Sequence, residues 1–339
     1  MTYLVIRFSS VGNVAMSVPV ITSLSRRYPE DTFVVVSKNR LAPLFYGLPN
    51  VRFHEAELHS SVKSVMQLFH ELRAACHIDA VVDLQDTLRS YVLRTLFRIA
   101  RVPVYVINYG CKEKRHLIMR GYKHSAPLRT EFERYADTFR LAGLESNDSF
   151  TAIPVNEPAR EAVAERFGEK NGTWIGIAPF AKSRSNMVPY RVTKEVIAHY
   201  SHQANTRVYL FGAGRIECEM LRQWASIFPN VVSVAGQLPI EDELELMRRL
   251  DVLVGMDSAN QHLGALVDAR TVSIWCGTHP AMGFAAWKQP AARMLQTNLS
   301  CRPCTVHGTK KCKYHNFACT DISAQDIIQL VNNQLKWER

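Results

Sequence analysis

The 339-residue sequence contains no continuous apolar run of the roughly 18 residues that a membrane-spanning helix requires. The segment Met1 to Phe8 has no basic region before its apolar run and no small-residue cleavage site after it, so it does not resemble a secretory signal peptide. It predicts a strand instead. We therefore expect a cytoplasmic protein whose only contact with a membrane is peripheral.

The sequence also lacks low-complexity segments and any helix-turn-helix, RNA-recognition or zinc-finger pattern. Hydrophobic residues make up 47% and charged residues 21%, which is typical of globular proteins. The formal net charge of +10 favours anionic partners, such as nucleic acid, a phosphorylated glycolipid or a membrane surface. Because no nucleic-acid motif accompanies the charge, we expect no nucleic-acid partner, and the charge alone does not choose between a phosphorylated glycolipid and a membrane surface.

Apolar strand-like runs alternate with helix-like stretches along the whole chain, which is the pattern of parallel sheets crossed by helices. The proline-punctuated segment 151–158 separates two such series and predicts a linker. We expect an α/β fold with an N-terminal domain over residues 1–155 and a C-terminal domain over 156–339. The predicted strands are Leu4 to Phe8, Thr32 to Ser37, Ala80 to Leu84, Val104 to Ile107, Trp174 to Ala178, Val208 to Phe211, Val231 to Ala235, Val252 to Gly255 and Val272 to Trp275.

Ligands of open α/β sheets bind beyond the carboxyl ends of the strands. This rule selects the segments 9–13, 180–186, 212–217 and 256–262. After the first predicted strand, Ser9, Ser10 and Gly12 lead into a helix whose amides attract an anion or a sugar. The alternative is a plain turn in which Asn13 caps the helix.

In the second half, Asp257 and Ser258 follow a strand and open a helix of small residues that includes His262. The amides of residues 258–260 could hold a diphosphate, or Asp257 could simply cap the helix. Gly212 and Glu217 open another helix after a strand, where the Glu217 carboxylate could accept hydroxyl hydrogen bonds from a sugar or stabilise the helix dipole. The basic run 112–120 could meet a phosphorylated acceptor, or it could be solvated surface.

In order and spacing, these segments resemble glycosyltransferase family 9, which includes the ADP-heptose:lipopolysaccharide heptosyltransferases. The resemblance spans nearly the whole chain. It is carried by Ile6-Arg7-Phe8-Ser9-Ser10-Val11-Gly12, Ile177-Ala178-Pro179-Phe180-Ala181-Lys182, Met256-Asp257-Ser258-Ala259-Asn260 with His262-Leu263, Ser273-Ile274-Trp275 with Thr278-His279-Pro280, and Cys301-Arg302-Pro303-Cys304.

The resemblance implies the GT-B arrangement, two Rossmann-like doubly wound domains facing a central cleft, with the final helix packing back on the first domain. It implies inverting, metal-independent sugar transfer, with ADP-heptose as the donor and a lipopolysaccharide-core glycan as the acceptor at the cytoplasmic face of the inner membrane. No cofactor is required. The implied catalytic positions are Asn13, Lys182 and Arg184; the donor residues are Phe180, Ala181, Asn186, Gly212, Glu217, Asp257, Ser258, Ala259, Asn260 and His262; the acceptor residues are Ser9, Ser10, Gly12, Lys112, Lys114, Arg115 and Arg120.

Two positions depart from the family pattern. The family loop normally ends in Gly-Asp, whereas this chain has Gly12-Asn13, and an amide cannot take a proton from a hydroxyl at neutral pH. Asn186 stands where relatives carry a lysine. The loss of catalysis with retained donor binding, the recruitment of another base and an engineered substitution at residue 13 are three explanations. A non-catalytic nucleotide-sugar-binding or scaffold protein is therefore the alternative function.

Four of the eight cysteines lie within 19 residues of one another. They could supply thiolates to a structural zinc ion, with His307 or His315 as substitute ligands. They could equally be buried thiols or form occasional disulfides. The four residues are Cys301, Cys304, Cys312 and Cys319.

Overall fold

The computed structural model describes residues 1–56, 62–121, 126–310 and 312–336. The chain divides into two compact units. Unit 1 consists of Met1–Tyr109 and Glu131–Pro154, and unit 2 consists of Gly110–Thr130 and Val155–Arg339. The segment Gly110–Thr130 thus belongs with the later part of the chain, although it directly follows the last strand of unit 1.

Unit 1 has a parallel sheet in the order β3-β2-β1-β4-β5. Its central strands are continuous apolar runs because helices cover both faces of a parallel sheet. The core on the face of α2 and α3 includes Leu68, Leu72, Leu93 and Phe97. The elements are β1 (Thr2–Ile6), α1 (Val11–Arg27), β2 (Thr32–Ser37), β3 (Val51–Glu55), α2 (Val62–Ala75), β4 (Ala80–Asp83), α3 (Leu88–Ile99) and β5 (Val104–Val106), with α4 (Cys111–Arg120) in unit 2 before α5 (Glu131–Leu141) returns to unit 1.

Unit 2 has a parallel sheet in the order β11-β10-β9-β6-β7-β8. Its last helix packs on α7 of the same unit, where the Tyr200 hydroxyl donates to the Ile328 carbonyl at 3.2 Å. The elements are α6 (Glu157–Phe167), β6 (Thr173–Ala178), α7 (Tyr190–Ser201), β7 (Thr206–Leu210), α8 (Arg215–Ile227), β8 (Val231–Ser233), α9 (Ile240–Arg249), β9 (Val252–Met256), α10 (Ala259–Leu266), β10 (Thr271–Trp275), β11 (Met294–Gln296) and α11 (Ala324–Leu335).

Every strand predicted from the sequence is present, with ends that differ by at most two residues. Two edge strands, β3 and β11, escaped prediction. Within the described ranges, no helix has both the length and the apolar character that crossing a membrane would demand.

Candidate active site

The strand order reverses once in each sheet, between β1 and β4 in unit 1 and between β6 and β9 in unit 2. Loops that leave the carboxyl ends of neighbouring strands diverge at such a point and open a crevice for a ligand. The predicted segments 9–13, 180–186 and 256–262 all leave strands that flank these two reversals. The topology therefore selects three of the four segments predicted from the sequence, whereas 212–217 follows β7, which does not flank a reversal.

In unit 1, the loop after β1 enters α1 at Ser10, which is the helix N-cap. The sequence alternative that Asn13 caps the helix is wrong, because Asn13 lies within the first turn and is partly exposed. The Ser10 hydroxyl makes no capping hydrogen bond. Ser9 is partly exposed and Gly12 is buried. Since a serine N-cap normally satisfies one first-turn amide, the uncapped turn leaves its amides free to meet a polar ligand.

A buried arginine supports this loop; the sequence analysis included it in a motif but assigned it no role. Arg7 directly follows β1, and its Nη1 donates to the Leu84 carbonyl at 2.6 Å and to the Tyr109 hydroxyl at 2.7 Å. The same nitrogen lies 3.2 Å from the Gln85 Oε1, an atom that also accepts from the Ser9 amide at 3.3 Å. The guanidinium stacks over the ring of Tyr135, whose hydroxyl donates to the Asn13 carbonyl at 3.3 Å. Arg7 is thereby connected to both ends of the loop.

In unit 2, the start of α10 carries a cluster of buried polar atoms. Ser258 is the N-cap and makes no capping hydrogen bond through its side chain. The Ser258 Oγ, the Gln261 Oε1 and the His262 Nδ1 are buried and have no hydrogen-bond partner among the described residues. A buried polar atom without a partner is costly, so three in one helical turn indicate a surface built to bind a ligand. Ala259 and Asn260 are partly exposed in the same turn.

Asp257 links this helix to the next loop. Its carboxylate accepts a hydrogen bond from the Thr278 hydroxyl at 2.6 Å and another from the Gln261 amide at 3.2 Å. Although the residue as a whole is partly exposed, its carboxylate is enclosed, and this burial raises the pKa of Asp257 to about 6, against the opposing effect of the two hydrogen bonds. Asp257 therefore ionises at a pH close to neutrality.

His262 lies one turn into α10 and is 6% exposed. Burial lowers the pKa of His262 to about 4, so the imidazole is neutral at pH 7. A neutral imidazole can either donate or accept a hydrogen bond at Nδ1. His262 can therefore recognise a hydroxyl or a phosphate oxygen without carrying charge into the site.

Arg302 anchors the loop after β10, which contains Thr278, the hydrogen-bond partner of Asp257. The sequence analysis included Arg302 in a motif but assigned it no role. The fully buried guanidinium donates to the main-chain carbonyls of Trp275 at 2.8 Å, Thr278 at 2.6 Å and Cys276. It also reaches the Thr297 carbonyl at 2.6 Å. Arg302 thus fixes the residue whose hydroxyl binds Asp257.

The loop after β6 divides into buried and exposed parts. Phe180 and Ala181 pack in the core of unit 2, where Phe180 contacts the rings of Tyr190 and Trp224. Lys182 is exposed, which leaves its ammonium free to face an anion.

Arg184 is also exposed, and its guanidinium lies over the Tyr190 ring with Nη1 3.2 Å from the Val188 carbonyl. Asn186 is buried and donates to the His307 carbonyl at 3.4 Å. The backbone at Gly308 approaches so closely that a Cβ there would lie 2.0 Å from the Asn186 Oδ1. Asn186 therefore contacts residues of its own unit, and its contact with a donor stays a prediction.

Glu217 closes the turn between β7 and α8. Its Oε2 accepts from the Ala213 amide at 3.1 Å, and burial raises its pKa against the lowering effect of that bond. A Cβ on Gly212 would lie 2.8 Å from the end of the Leu221 side chain, so the strand and the helix pack closely at this turn. The carboxylate caps this turn, as the helix-dipole alternative expected, and a role toward a sugar stays a prediction.

The predicted acceptor residues of α4 belong to unit 2, whereas the loop 9–13 belongs to unit 1. Lys112, Arg115 and Arg120 are exposed. Lys114 is buried, with its ammonium 4.6 Å from the centre of the Phe284 ring. The surface interpretation fits the three exposed residues, whereas Lys114 is part of the packing of unit 2.

The four clustered cysteines are free thiols that range from exposed Cys301 to buried Cys319. Burial raises the pKa of Cys319 to about 11, and the pKa of Cys312 is lowered by nearby backbone hydrogen bonds. Among the described residues, no group of three or more histidine, cysteine or acidic side chains is arranged to hold a metal ion. The geometry therefore gives the zinc hypothesis no support.

Residues 65–315 match the model of glycosyltransferase family 9 (heptosyltransferase). The chain belongs to glycosyltransferase family 9. This confirms the family and the enzyme class predicted from the sequence. The loop after β9, the start of α10 and the Arg302 segment all lie within the matched range, whereas the loop 9–13 precedes it.

Individual relatives of this family 9 member support the assignment. The lipopolysaccharide core heptosyltransferase OpsX of Haemophilus influenzae is 20% identical over 287 residues, which cover 81% of this chain and 79% of that protein. A glycosyltransferase family 9 structure from Veillonella parvula DSM 2008 has a TM-score of 0.77 at 15% identity and covers 98% of this chain and 97% of its own. The E. coli ADP-heptose lps heptosyltransferase II structure has a TM-score of 0.73 at 19% identity, with coverages of 99% and 98%. These likenesses confirm the predicted fold of two Rossmann-like domains.

Proposed function

We propose that this family 9 member transfers a heptose from ADP-heptose to a lipopolysaccharide-core or related envelope glycan, by an inverting, metal-independent displacement. The family match and the names of two relatives support this choice of donor and acceptor. The net charge of +10 suits an anionic glycolipid at the cytoplasmic face of the inner membrane.

The observation that carries the proposal is the cluster of unpartnered buried polar atoms at the start of α10. The Ser258 Oγ, the Gln261 Oε1 and the His262 Nδ1 lie at the carboxyl end of β9, beside the reversal of strand order. A diphosphate at this helix start would accept hydrogen bonds from the first-turn amides. The positive end of the helix dipole would stabilise its negative charge. Lys182 lies in the loop after the neighbouring strand β6, and its ammonium would neutralise phosphate charge.

The remaining roles follow from the chemistry of each side chain. Glu217 would accept hydroxyl hydrogen bonds from the donor, and Arg184 would support the departing diphosphate as its negative charge grows. In unit 1, Ser9, Ser10, Gly12 and Asn13 would bind acceptor hydroxyls. In unit 2, the exposed Lys112, Arg115 and Arg120 would attract anionic groups. The buried side chains of Phe180, Ala181 and Asn186 would pack beneath the donor site and support its shape.

Calorimetric titration with ADP-heptose tests the donor site. We expect Ser258→Ala to weaken donor binding by roughly tenfold, because one hydrogen bond to a charged phosphate is lost, worth about 1.5 kcal/mol or more. Ser226→Ala is the matched control, since Ser226 is an exposed serine on α8 whose hydroxyl bonds only to its own helix. Equal affinities for the two variants would contradict the proposed donor site.

A second candidate function is nucleotide-sugar binding without turnover, and Asn13 favours it. The Asn13 amide cannot act as a general base, and such a base typically contributes about 10² to 10⁴ in rate. On our proposal, Asn13→Asp raises kcat for heptose transfer by about 10²-fold or more, because the new carboxylate takes the acceptor proton.

Donor affinity measured on the same two proteins separates the candidates. We expect Asn13→Asp to leave the ADP-heptose affinity unchanged, since the proposed donor residues do not include residue 13. If both chains bind donor and neither turns over extracted acceptor, the binding-protein function replaces the transferase. If both turn over equally, another group is the base.

A further inference from the structure

The outward face of α3 is unusual for a surface helix because it carries apolar side chains. Leu88 is 79% exposed, Tyr91 52% and Ile99 75%. At 100° per residue these positions fall within about 80° of one another on the helix circumference. The opposite face already supplies Leu93 and Phe97 to the core. A surface helix normally has polar residues outward, so this stripe is not explained by the fold of unit 1.

Helix α2 extends the stripe into a surface. The two helices pack together, with the rings of Phe69 and Phe97 4.9 Å apart. On α2, Val62 and Met66 are 60% and 46% exposed. Because the sheet is parallel, α2 and α3 both begin at its carboxyl edge. We call Val62, Met66, Leu88 and Tyr91, all near the starts of these helices, the apolar patch.

The charges around the apolar patch are mostly of one sign. Two basic residues lie near the starts of these helices and are exposed, Lys63 on α2 and Arg89 on α3. The exposed Glu55 lies at the end of β3, before α2. The nearest acidic side chain before α3, Asp86, is paired with Arg94 at 2.8 Å. Arg94 itself lies over the Tyr91 ring, at 5.1 Å. The surface is therefore both apolar and cationic.

We propose that the apolar patch docks unit 1 onto a membrane surface that contains anionic phospholipid. Apolar side chains flanked by lysine and arginine are the combination that inserts at a bilayer interface, and a tyrosine suits the headgroup level.

The docking places the peripheral membrane contact of the proposed function on unit 1. The identity of the membrane rests on the proposed function. The loop 9–13 leaves β1 at the same carboxyl edge of the same sheet. A membrane on the apolar patch therefore lies beside the edge that carries the proposed acceptor residues.

Co-sedimentation with vesicles tests the docking. The wild-type chain should bind vesicles of phosphatidylglycerol and phosphatidylcholine in equal parts and not vesicles of phosphatidylcholine alone. Leu88→Ser with Tyr91→Ser should weaken this binding by on the order of tenfold or more, since the two exposed side chains no longer insert. The matched control is Leu141→Ser with Ile227→Ser, which removes two comparably exposed apolar side chains elsewhere and should bind like the wild type.

A second pair of variants separates location from total charge. Lys63→Glu with Arg89→Glu should abolish binding, whereas Arg160→Glu with Arg222→Glu has the same net charge and should retain most of it. Absence of binding by the wild type, or equal losses in patch and control variants, overturns the proposal. Light scattering could instead show a dimer that the Leu88 and Tyr91 substitutions dissociate. That result would assign the apolar patch to an interface between two copies of the chain and would also overturn the proposal. ADP-heptose titration of each variant reports separately on the proposed function.

Discussion

Two titratable residues of the candidate donor site, Asp257 and His262, respond to burial in opposite directions. Burial favours the neutral form of both, so it raises the pKa of Asp257 from 3.8 to about 6 and lowers that of His262 from 6.5 to about 4. Between these values, folded Asp257 holds a proton that the unfolded chain lacks. Folded His262 lacks a proton that the unfolded chain holds. The two effects on stability therefore oppose each other as the pH falls from about 6.5 to 4.

Single substitutions should separate these two contributions. Asp257 stabilises the fold as the pH falls below about 6, whereas His262 destabilises it, each by about 2 kcal/mol near pH 4.5. Relative to the wild type, His262→Gln should therefore gain stability on acidification and Asp257→Asn should lose it. Urea unfolding between about pH 7 and pH 4.5 measures both slopes. Parallel pH profiles for the two variants would mean that the two groups are not buried as the structure has them.

The chemistry of each residue also explains which site residues could be predicted from the sequence. Asp257, Ser258 and His262 directly follow a strongly apolar strand, so the rule for carboxyl ends of strands found them. The roles of Arg7 and Arg302 were missed because they depend on main-chain carbonyls distant in the chain, such as Leu84, 77 residues from Arg7, and Thr278, 24 residues from Arg302. Every residue has a main-chain carbonyl, so the sequence does not show which carbonyls an arginine contacts. The assignment of Asn13 as a cap failed because serine, an equally good cap residue, precedes it.

Elements were predictable where burial made them uniform. The buried central strands are continuous apolar runs, and each was predicted. The edge strand β3 reads Val-Arg-Phe-His-Glu and has no fully buried residue, and β11 has only three residues, so neither gives an apolar run. The membership of Gly110–Thr130 in unit 2 depends on packing contacts such as Lys114 against Phe284, which composition does not encode.

The segment that contains Arg302 should be the element on which the donor site most depends. Arg302→Lys should destabilise the fold by about 3 kcal/mol, because a lysine cannot serve the diverging carbonyls of Trp275, Cys276 and Thr278 and leaves buried acceptors unsatisfied. Urea unfolding at neutral pH gives the value. Donor affinity should fall as well, since the Thr278 hydroxyl that holds Asp257 loses its support.

Arg293→Lys is the control for this element. Arg293 is partly exposed and its Nε bonds to one side chain, that of Gln334, so the substitution should cost less than about 1 kcal/mol. Similar losses for the two arginines would show that the buried carbonyl contacts of Arg302 carry no special weight.

At the scale of the whole molecule, the donor residues and the loop 9–13 belong to different compact units. A ligand that binds only the folded state adds RT ln(1 + [L]/Kd) to the stability of what it contacts, about 2.7 kcal/mol at a hundredfold excess over Kd. Donor binding should therefore protect unit 2 selectively.

Hydrogen exchange with and without ADP tests this selectivity. We expect slower exchange in the first turn of α10 and in the turn that contains Ala213 and Glu217, because bound diphosphate and ribose suppress local opening there. The strands β1 and β4 of unit 1 should exchange at unchanged rates. Ser258→Ala at the same ADP concentration should reduce the protection of α10, whereas Ser226→Ala should not. Protection that spreads equally over β1 and β4 would mean that the nucleotide alone engages both units, and the assignment of donor binding to unit 2 would then fail.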